Sequence, residues 1–212
     1  MTSPGTRRES RRPAAARHEG QAAENFVAGF AALADVALSG AEVSARAVDL
    51  LTGRVLLSVD DTVVLPTASI GKVLLLLEVS AQLSGGVSSR YDILDREPAD
   101  TVADSGIWQH LKAPSFPLAD LAVLAASTSD NLATNVLLRR IGLDAVRERA
   151  ESLGFTRTAL LDRVRDVRGP DDAPQLSVGS AAELTALFTG IARGELVDAA
   201  TSYRVADWLA LG

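Results

Sequence analysis

The segment from Val73 to Leu77 is an unbroken run of aliphatic residues, and it constrains the fold more than any other part of the chain. From Pro66 onward the residue pattern is typical of helices, so this run belongs to a helix that is apolar on every side. Such a helix has to be enclosed by other elements. We therefore expect a central helix surrounded by further helices. The 212 residues are enough for one domain, or for a domain with two lobes.

The patterns on either side of this helix predict an α+β fold. Upstream, residues 25–38 have helical spacing, and residues 43–47 and 54–59 have the spacing of two strands joined by a turn. Downstream, the pattern predicts further helices at residues 118–126, 131–141, 144–153, 181–192 and 197–211. Residues 156–178 are predicted to form one long loop. We expect one domain over 21–212, with a helix and two strands in 21–66 and helices in 67–212. A two-stranded ribbon is marginally stable by itself, so we expect further strands that this chain lacks.

Charge and composition limit the partners and the location of the chain. Residues 1–20 are rich in Arg, Pro, Ala and Ser and predict a disordered basic tail. The tail contains arginine pairs, but no apolar signal core follows them, so we see no export signal and expect a cytoplasmic location by default. No run is long enough to span a membrane. The net charge of -6 disfavours nucleic acid as a partner. We expect a monomer.

The available side chains narrow the chemistry. There is no cysteine, and the two histidines are His18 and His110, so thiol catalysis and a Cys- or His-rich metal site are excluded. We predict neither a metal nor a cofactor. The only lysines are Lys72 and Lys112. Because lysine can lose its proton when it is desolvated and arginine cannot, Lys72, inside the apolar run, is a candidate base. The alternative is a side chain that extends its ammonium group to solvent.

Ser69 stands three residues before Lys72, at the predicted start of the buried helix. Residues three apart on a helix are neighbours, and the first turn has unpaired N–H groups that favour an anion. Ser69 is therefore a candidate nucleophile, with its own backbone N–H as a donor to an oxyanion. Burial would lower the pKa of Lys72 and let its neutral form accept the serine proton.

The tripeptide Ser129-Asp130-Asn131 lies between two predicted helices. A hydroxyl at this place could pass a proton to a leaving group, and an amide could hold a substrate carbonyl and bond the lysine. The alternative is helix capping, since Ser, Asp and Asn are all good N-cap residues.

Together, Ser-x-x-Lys and Ser-Asp-Asn are typical of class A β-lactamases and penicillin-binding proteins. The chain resembles this superfamily, and class A most closely, from about residue 25 to its end. The stretch from Leu65 to Leu74 resembles the nucleophile segment, and Leu161-Asp162-Arg163 resembles the start of the omega loop. The resemblance implies that residues 21–212 are a partial catalytic domain, with part of an antiparallel sheet lobe in 21–66 beside a helical lobe in 67–212. It also implies that Ser69 is acylated by a β-lactam or a peptide-like donor, with Lys72 as base, Ser129 as proton shuttle and Asn131 as substrate ligand.

Two features depart from the family pattern. Class A enzymes carry a glutamate two residues after Leu-Asp-Arg, where this chain has Arg165, and Gly169 replaces a usual asparagine. A guanidinium cannot act as a base at neutral pH. We therefore expect the acyl group to be released slowly or by another route. The nearby Asp166 is expected to be a solvated loop charge. The third family motif, Lys-Thr-Gly, is absent, which leads us to expect a sequence truncated before the strand that carries it.

The sequence leaves several functions open. One is a β-lactamase-like serine hydrolase with impaired release of the acyl group. A second is a D-alanyl peptidase or esterase of the same fold. A third is a penicillin-binding protein that is acylated once without turnover, and a fourth is an inactive relative that retains the helical core. The family is usually periplasmic or secreted.

Overall fold

The computed structural model describes residues 20–212, which form seven α-helices and eight short strands. The predicted disordered tail lies outside the described residues except for Gly20, which is the first residue of a strand. The helices are α1 (Val27–Leu38), α2 (Lys72–Ser84), α3 (Leu118–Ser127), α4 (Asn131–Ile141), α5 (Leu143–Ser152), α6 (Ala181–Arg193) and α7 (Ala199–Leu209). The strands are β1 (Gly20–Ala22), β2 (Ala45–Val48), β3 (Val55–Val59), β4 (Val64–Pro66), β5 (Ile93–Asp95), β6 (Ser115–Pro117), β7 (Ala159–Leu160) and β8 (Ser177–Ser180). The predicted α+β class is confirmed.

Helix α2 forms the centre of the helical core, as the aliphatic run predicts. Its residues from Lys72 to Ala81 are all buried, and α3, α4, α5 and α7 pack around it. Each fully buried Leu or Val side chain contributes roughly 1.5–3 kcal/mol relative to an exposed one. Trp208 on α7 also faces this core. Trp108, which has no accessible surface, packs edge-on against Phe116 with ring centroids 5.3 Å apart.

The strands form three small antiparallel sheets, with orders β1-β3-β2, β4-β8-β7 and β5-β6. The sequence pattern predicts β2 and β3 but misses the strand at each flank of this region, β1 and β4. It also predicts only helices and loops after Pro66, whereas β5 to β8 lie there. These four strands have two to four residues each, too few to show an alternating pattern. The pairing of β8 with β4 brings the end of the long loop against the segment that precedes Ser69.

The spacing of Ser180 and Glu183 predicts a capping box at the start of α6, and tertiary contacts modify this local signal. Ser180 caps the helix as predicted, with its hydroxyl accepting a hydrogen bond from the Glu183 N–H at 3.3 Å. The Glu183 carboxylate, however, accepts the N–H groups of Thr156 and Arg157, both at 2.9 Å. The predicted capping box is therefore half formed, and its glutamate instead holds the beginning of the long loop.

Candidate active site

Ser69 lies in a 3₁₀ turn, Ala68–Gly71, directly before α2, and its side chain is exposed beside the buried helix. The turn is strained at Ala68, whose φ of 46° is rare for a residue with a Cβ atom. Ser177 on β8 holds this turn, because its hydroxyl donates to the Ala68 carbonyl at 2.6 Å. A Cβ atom on Gly71 would lie 2.2 Å from the Ser177 Cβ. The close approach of β8 thus requires glycine at position 71.

Lys72 is 2% exposed, and its ammonium group is enclosed by acceptors. Nζ donates to the Ser129 carbonyl at 2.7 Å, to the Ser129 hydroxyl at 3.0 Å and to Asn131 Oδ1 at 2.7 Å. Burial lowers the pKa of Lys72 from 10.5 to about 8, while the negative charge of Asp130 opposes the shift. About one tenth of the Lys72 population is therefore in the neutral form at pH 7, which is the form that a general base requires.

The turn that precedes α4 directs both polar neighbours toward Lys72. Ser129 has a φ of 52°, and Asp130 follows as the N-cap residue of α4. The Asp130 carboxylate accepts N–H groups from Ala133 at 2.9 Å and from Ile107 and Trp108 at 2.8 Å each. The capping interpretation is therefore correct for Asp130. The residues on either side of it are left free to contact the lysine.

Hydrogen bonds fix the orientation of the Asn131 amide. Its Oδ1 accepts from Lys72, and its Nδ2 donates to the Asp104 carbonyl at 2.9 Å. Because a lysine ammonium only donates and a carbonyl only accepts, the oxygen and nitrogen cannot be exchanged. An amide nitrogen has two hydrogens, so one donor of Nδ2 remains for a ligand.

The structure thus joins Lys72, Ser129 and Asn131 by direct bonds, and it places Ser69 one helical turn before Lys72. Within residues 20–212, Lys72 Nζ makes its hydrogen bonds to Ser129 and Asn131 and none to the Ser69 hydroxyl. Hydrogen bonds of this kind are often long or absent in ligand-free enzymes and form when substrate binds. The arrangement supplies a hydroxyl, an amine of lowered pKa, a second hydroxyl and an amide donor.

The long loop carries the position that the family resemblance assigns to a glutamate. Here Arg165 turns to two carboxylates, with Nε 2.7 Å from Asp162 Oδ2 and Nη2 2.9 Å from Asp172 Oδ1. Burial opposes ionisation of Asp162, but hydrogen bonds from Arg165, the Arg163 amide and Arg168 outweigh it and lower its pKa. This ion-pair cluster holds the loop through charge, and it directs the Arg165 side chain to the loop's own acids.

The expectation that Asp166 is a solvated loop charge holds for its exposure but omits a contact with the backbone. Its side chain is exposed, but Oδ1 accepts the Ala103 N–H at 2.8 Å. Gly169 donates its N–H to Asp172 at 2.8 Å and so belongs to the same closed loop.

Sequence reasoning also missed Asn135 and Ser177. Asn135 on α4 exchanges two hydrogen bonds with the backbone of Val164, at 2.9 and 3.0 Å, and so fastens the long loop to the core. A buried asparagine one turn after Asn131 is a usable signal, since buried amides need partners. No comparable signal marks Ser177, which lies 109 residues beyond its partner Ala68.

Comparisons with known proteins show the family of the chain. A sequence model described as the beta-lactamase enzyme family matches residues 28–211. No curated protein matches the sequence. Across residues 20–212, we find no helix that could span a lipid bilayer.

Solved structures with a similar fold include β-lactamases and a penicillin-binding protein. A β-lactamase from Sphaerobacter thermophilus is 25% identical, with a TM-score of 0.78 over 87% of this chain and 69% of that chain. A β-lactamase from Xanthomonas campestris is 19% identical, with a TM-score of 0.74 over 86% and 69%. PBP-A is 22% identical, with a TM-score of 0.67 over 77% and 60%. The match from residue 28 to residue 211 confirms the resemblance seen in the motifs, and the chain belongs to the beta-lactamase enzyme family.

Proposed function

We propose that the chain is a serine hydrolase of the β-lactamase type, which forms an acyl-enzyme on Ser69 with β-lactams or related amides and esters. The observation that carries this proposal is the burial of the Lys72 amine close to Ser69. This amine has a pKa that is lowered to about 8, and it lies three residues after an exposed serine. Membership of the family supports a small-molecule substrate with a reactive carbonyl.

In the proposed acylation, neutral Lys72 accepts the proton of Ser69, and the serine oxygen forms a bond to the substrate carbonyl carbon. The negative charge on the carbonyl oxygen is stabilised by N–H donors at the turn before α2. When the tetrahedral intermediate collapses, the carbon–nitrogen bond breaks. The proton passes from Lys72 to the Ser129 hydroxyl, 3.0 Å away, and Ser129 gives a proton to the departing nitrogen. Asn131 holds the substrate side chain with its remaining amide hydrogen.

Release of the acyl group needs a base that activates water. At the position where class A enzymes carry a glutamate, the long loop has Arg165, which is a poor base. Arg165 is occupied by Asp162 and Asp172, and it stays protonated at neutral pH. This observation favours a second candidate, a penicillin-binding protein that is acylated with slow turnover or none. A solved structure of a PBP-A mutant is an acyl-enzyme complex with penicillin G.

Intact mass after incubation with penicillin tests the proposal. We expect an adduct with the mass of one penicillin on the wild-type chain and none on Ser69→Ala. Lys72→Arg keeps the charge but cannot supply a base, and general bases contribute about 10²–10⁴ in rate, so its adduct should form at least a hundredfold more slowly. A wild-type chain that neither carries an adduct at Ser69 nor releases hydrolysed penicillin would refute acyl-enzyme formation.

Turnover separates the two candidates. Release of product from a chromogenic cephalosporin, at a rate well above that of Ser69→Ala, supports the hydrolase. A stable adduct without release supports the covalent penicillin-binding protein. A panel of D-alanyl peptides and short esters tests the peptidase and esterase alternatives, which require faster cleavage of these compounds than of β-lactams.

A further inference from the structure

The segment Ala103–Gly106 forms a strained loop next to the candidate site. Three consecutive residues have positive φ, namely Asp104 at 66°, Ser105 at 50° and Gly106 at 107°. Left-handed backbone is unfavourable for residues with a Cβ atom, so Asp104 and Ser105 keep this conformation only while outside contacts hold them. The position of this loop therefore depends on its anchors.

One side of the loop faces the candidate site. The Asp104 carbonyl accepts Asn131 Nδ2 at 2.9 Å, and the Ser105 carbonyl accepts the Asn131 N–H at 3.1 Å. The Ser105 hydroxyl donates to the Ser129 carbonyl at 3.1 Å, which is the same oxygen that Lys72 contacts. A shift of this loop would thus move the amide that the proposed mechanism uses to hold substrate.

The other contacts of the loop lie at its two ends. After Gly106, the N–H groups of Ile107 and Trp108 bind the buried Asp130 carboxylate. Before Asp104, the Ala103 N–H donates to Asp166 Oδ1 at 2.8 Å. The first anchor belongs to the helical core. The second comes from the long loop 156–178, here called the omega loop, and lies 63 residues along the chain.

We infer that Asp166 is a positioning residue, whose carboxylate fixes the loop Ala103–Gly106 and, through the Asp104 carbonyl, the amide of Asn131. The omega loop then acts on substrate binding through a backbone contact rather than as a base. The effect on substrate rests on the proposed function. The anchoring of the loop does not, and it can be measured by itself.

The test compares Asp166→Ala, Asp166→Asn and the control Asp171→Ala. Asp171 is an exposed carboxylate in the same loop, which matches the loss of charge. Hydrogen exchange of a peptide spanning residues 101–107 reports the anchoring. We expect exchange about three- to tenfold faster in Asp166→Ala, as for loss of one charge-assisted hydrogen bond. Asp166→Asn retains an acceptor and should fall between wild type and alanine, while Asp171→Ala should match wild type.

Acylation by a fluorescent penicillin gives the second measurement. Saturation curves should show weaker binding before acylation in Asp166→Ala, by about three- to tenfold, with a nearly unchanged limiting rate constant. Asp166→Asn should restore part of the binding. General unfolding would instead lower the fraction of protein that is labelled, and the binding constant of the folded fraction would not change.

The outcomes are distinct. Unchanged exchange in Asp166→Ala, or an equal change in Asp171→Ala, overturns the inference. Faster exchange with unchanged penicillin binding overturns the link to Asn131. Faster exchange in a protein that penicillin never acylates supports the anchor and overturns the proposed function.

Discussion

The lowered pKa of Lys72 leads to a quantitative prediction for the pH dependence of acylation. With a pKa of about 8, the neutral amine is about one tenth of the population at pH 7, one half at pH 8 and nine tenths at pH 9. If neutral Lys72 is the base, the acylation rate constant should rise about tenfold from pH 7 to pH 9 and level off above that. An unshifted lysine, with a pKa of 10.5, would instead give a rise of roughly a hundredfold without levelling.

The direction follows from the structure. Burial disfavours the ammonium form, so the proton is lost at lower pH than in water, and the rate increases as the pH rises through the folded-state value. Labelling with a fluorescent penicillin between pH 6 and pH 9.5, at subsaturating concentration, measures the rate constant. Ser69→Ala at each pH corrects for alkaline hydrolysis and nonspecific labelling.

Two results would refute this reasoning. A rate that is flat or falls between pH 7 and pH 9 would exclude neutral Lys72 as the base. A hundredfold rise without a plateau would show that three acceptors stabilise the ammonium enough to cancel its burial. Lys72→Arg should show neither the midpoint nor the plateau, because its side chain stays protonated throughout this range.

Three further predictions concern the framework of the site. Gly71→Ala should lower the free energy of unfolding by about 1–3 kcal/mol and abolish acylation, because the added Cβ overlaps β8. Gly29→Ala has no atom within 4 Å of its Cβ, so urea denaturation should show about 0.5–1 kcal/mol of stabilisation; equal effects of the two substitutions would contradict the packing argument. Arg165→Glu removes a 2.7 Å ion pair with Asp162 and adds repulsion, so we expect faster proteolysis of the omega loop and no gain in cephalosporin turnover; a gain would show that the loop tolerates the carboxylate. Asp130→Asn cannot accept all three N–H groups that the carboxylate holds, so thermal unfolding should show a loss of about 2–4 kcal/mol, and a loss below about 1 kcal/mol would contradict its anchoring role.

The features that the sequence predicted are those carried by neighbouring residues. The aliphatic run predicts α2 because a helix that is apolar on every side has to be buried, whichever elements surround it. The start of α4 at Asn131 follows from Asp130, a capping residue just before a helical pattern. The spacing of Ser69 and Lys72 places them one turn apart, and the structure agrees.

The features that the sequence did not predict depend on segments far apart in the chain. A glycine at position 71 fits any turn, and only the approach of β8 shows why a larger residue is excluded. The contact between Asp166 and the Ala103 N–H joins two irregular loops, which have no periodicity to interpret. The short strands after Pro66 exist through pairing across such loops, as in β4 with β8.

The three acceptors around Lys72 also bear on the order of folding. They lie 57 to 59 residues beyond the lysine, so no local segment can form the site by itself. Contacts between distant residues form late, because a long loop has to close before they give any stabilisation. Until α4 docks, burial of α2 would leave the amine without partners, which favours its neutral form. We therefore expect the site to complete only as the helices dock, and refolding to be faster at alkaline pH, where the amine enters the core without a charge.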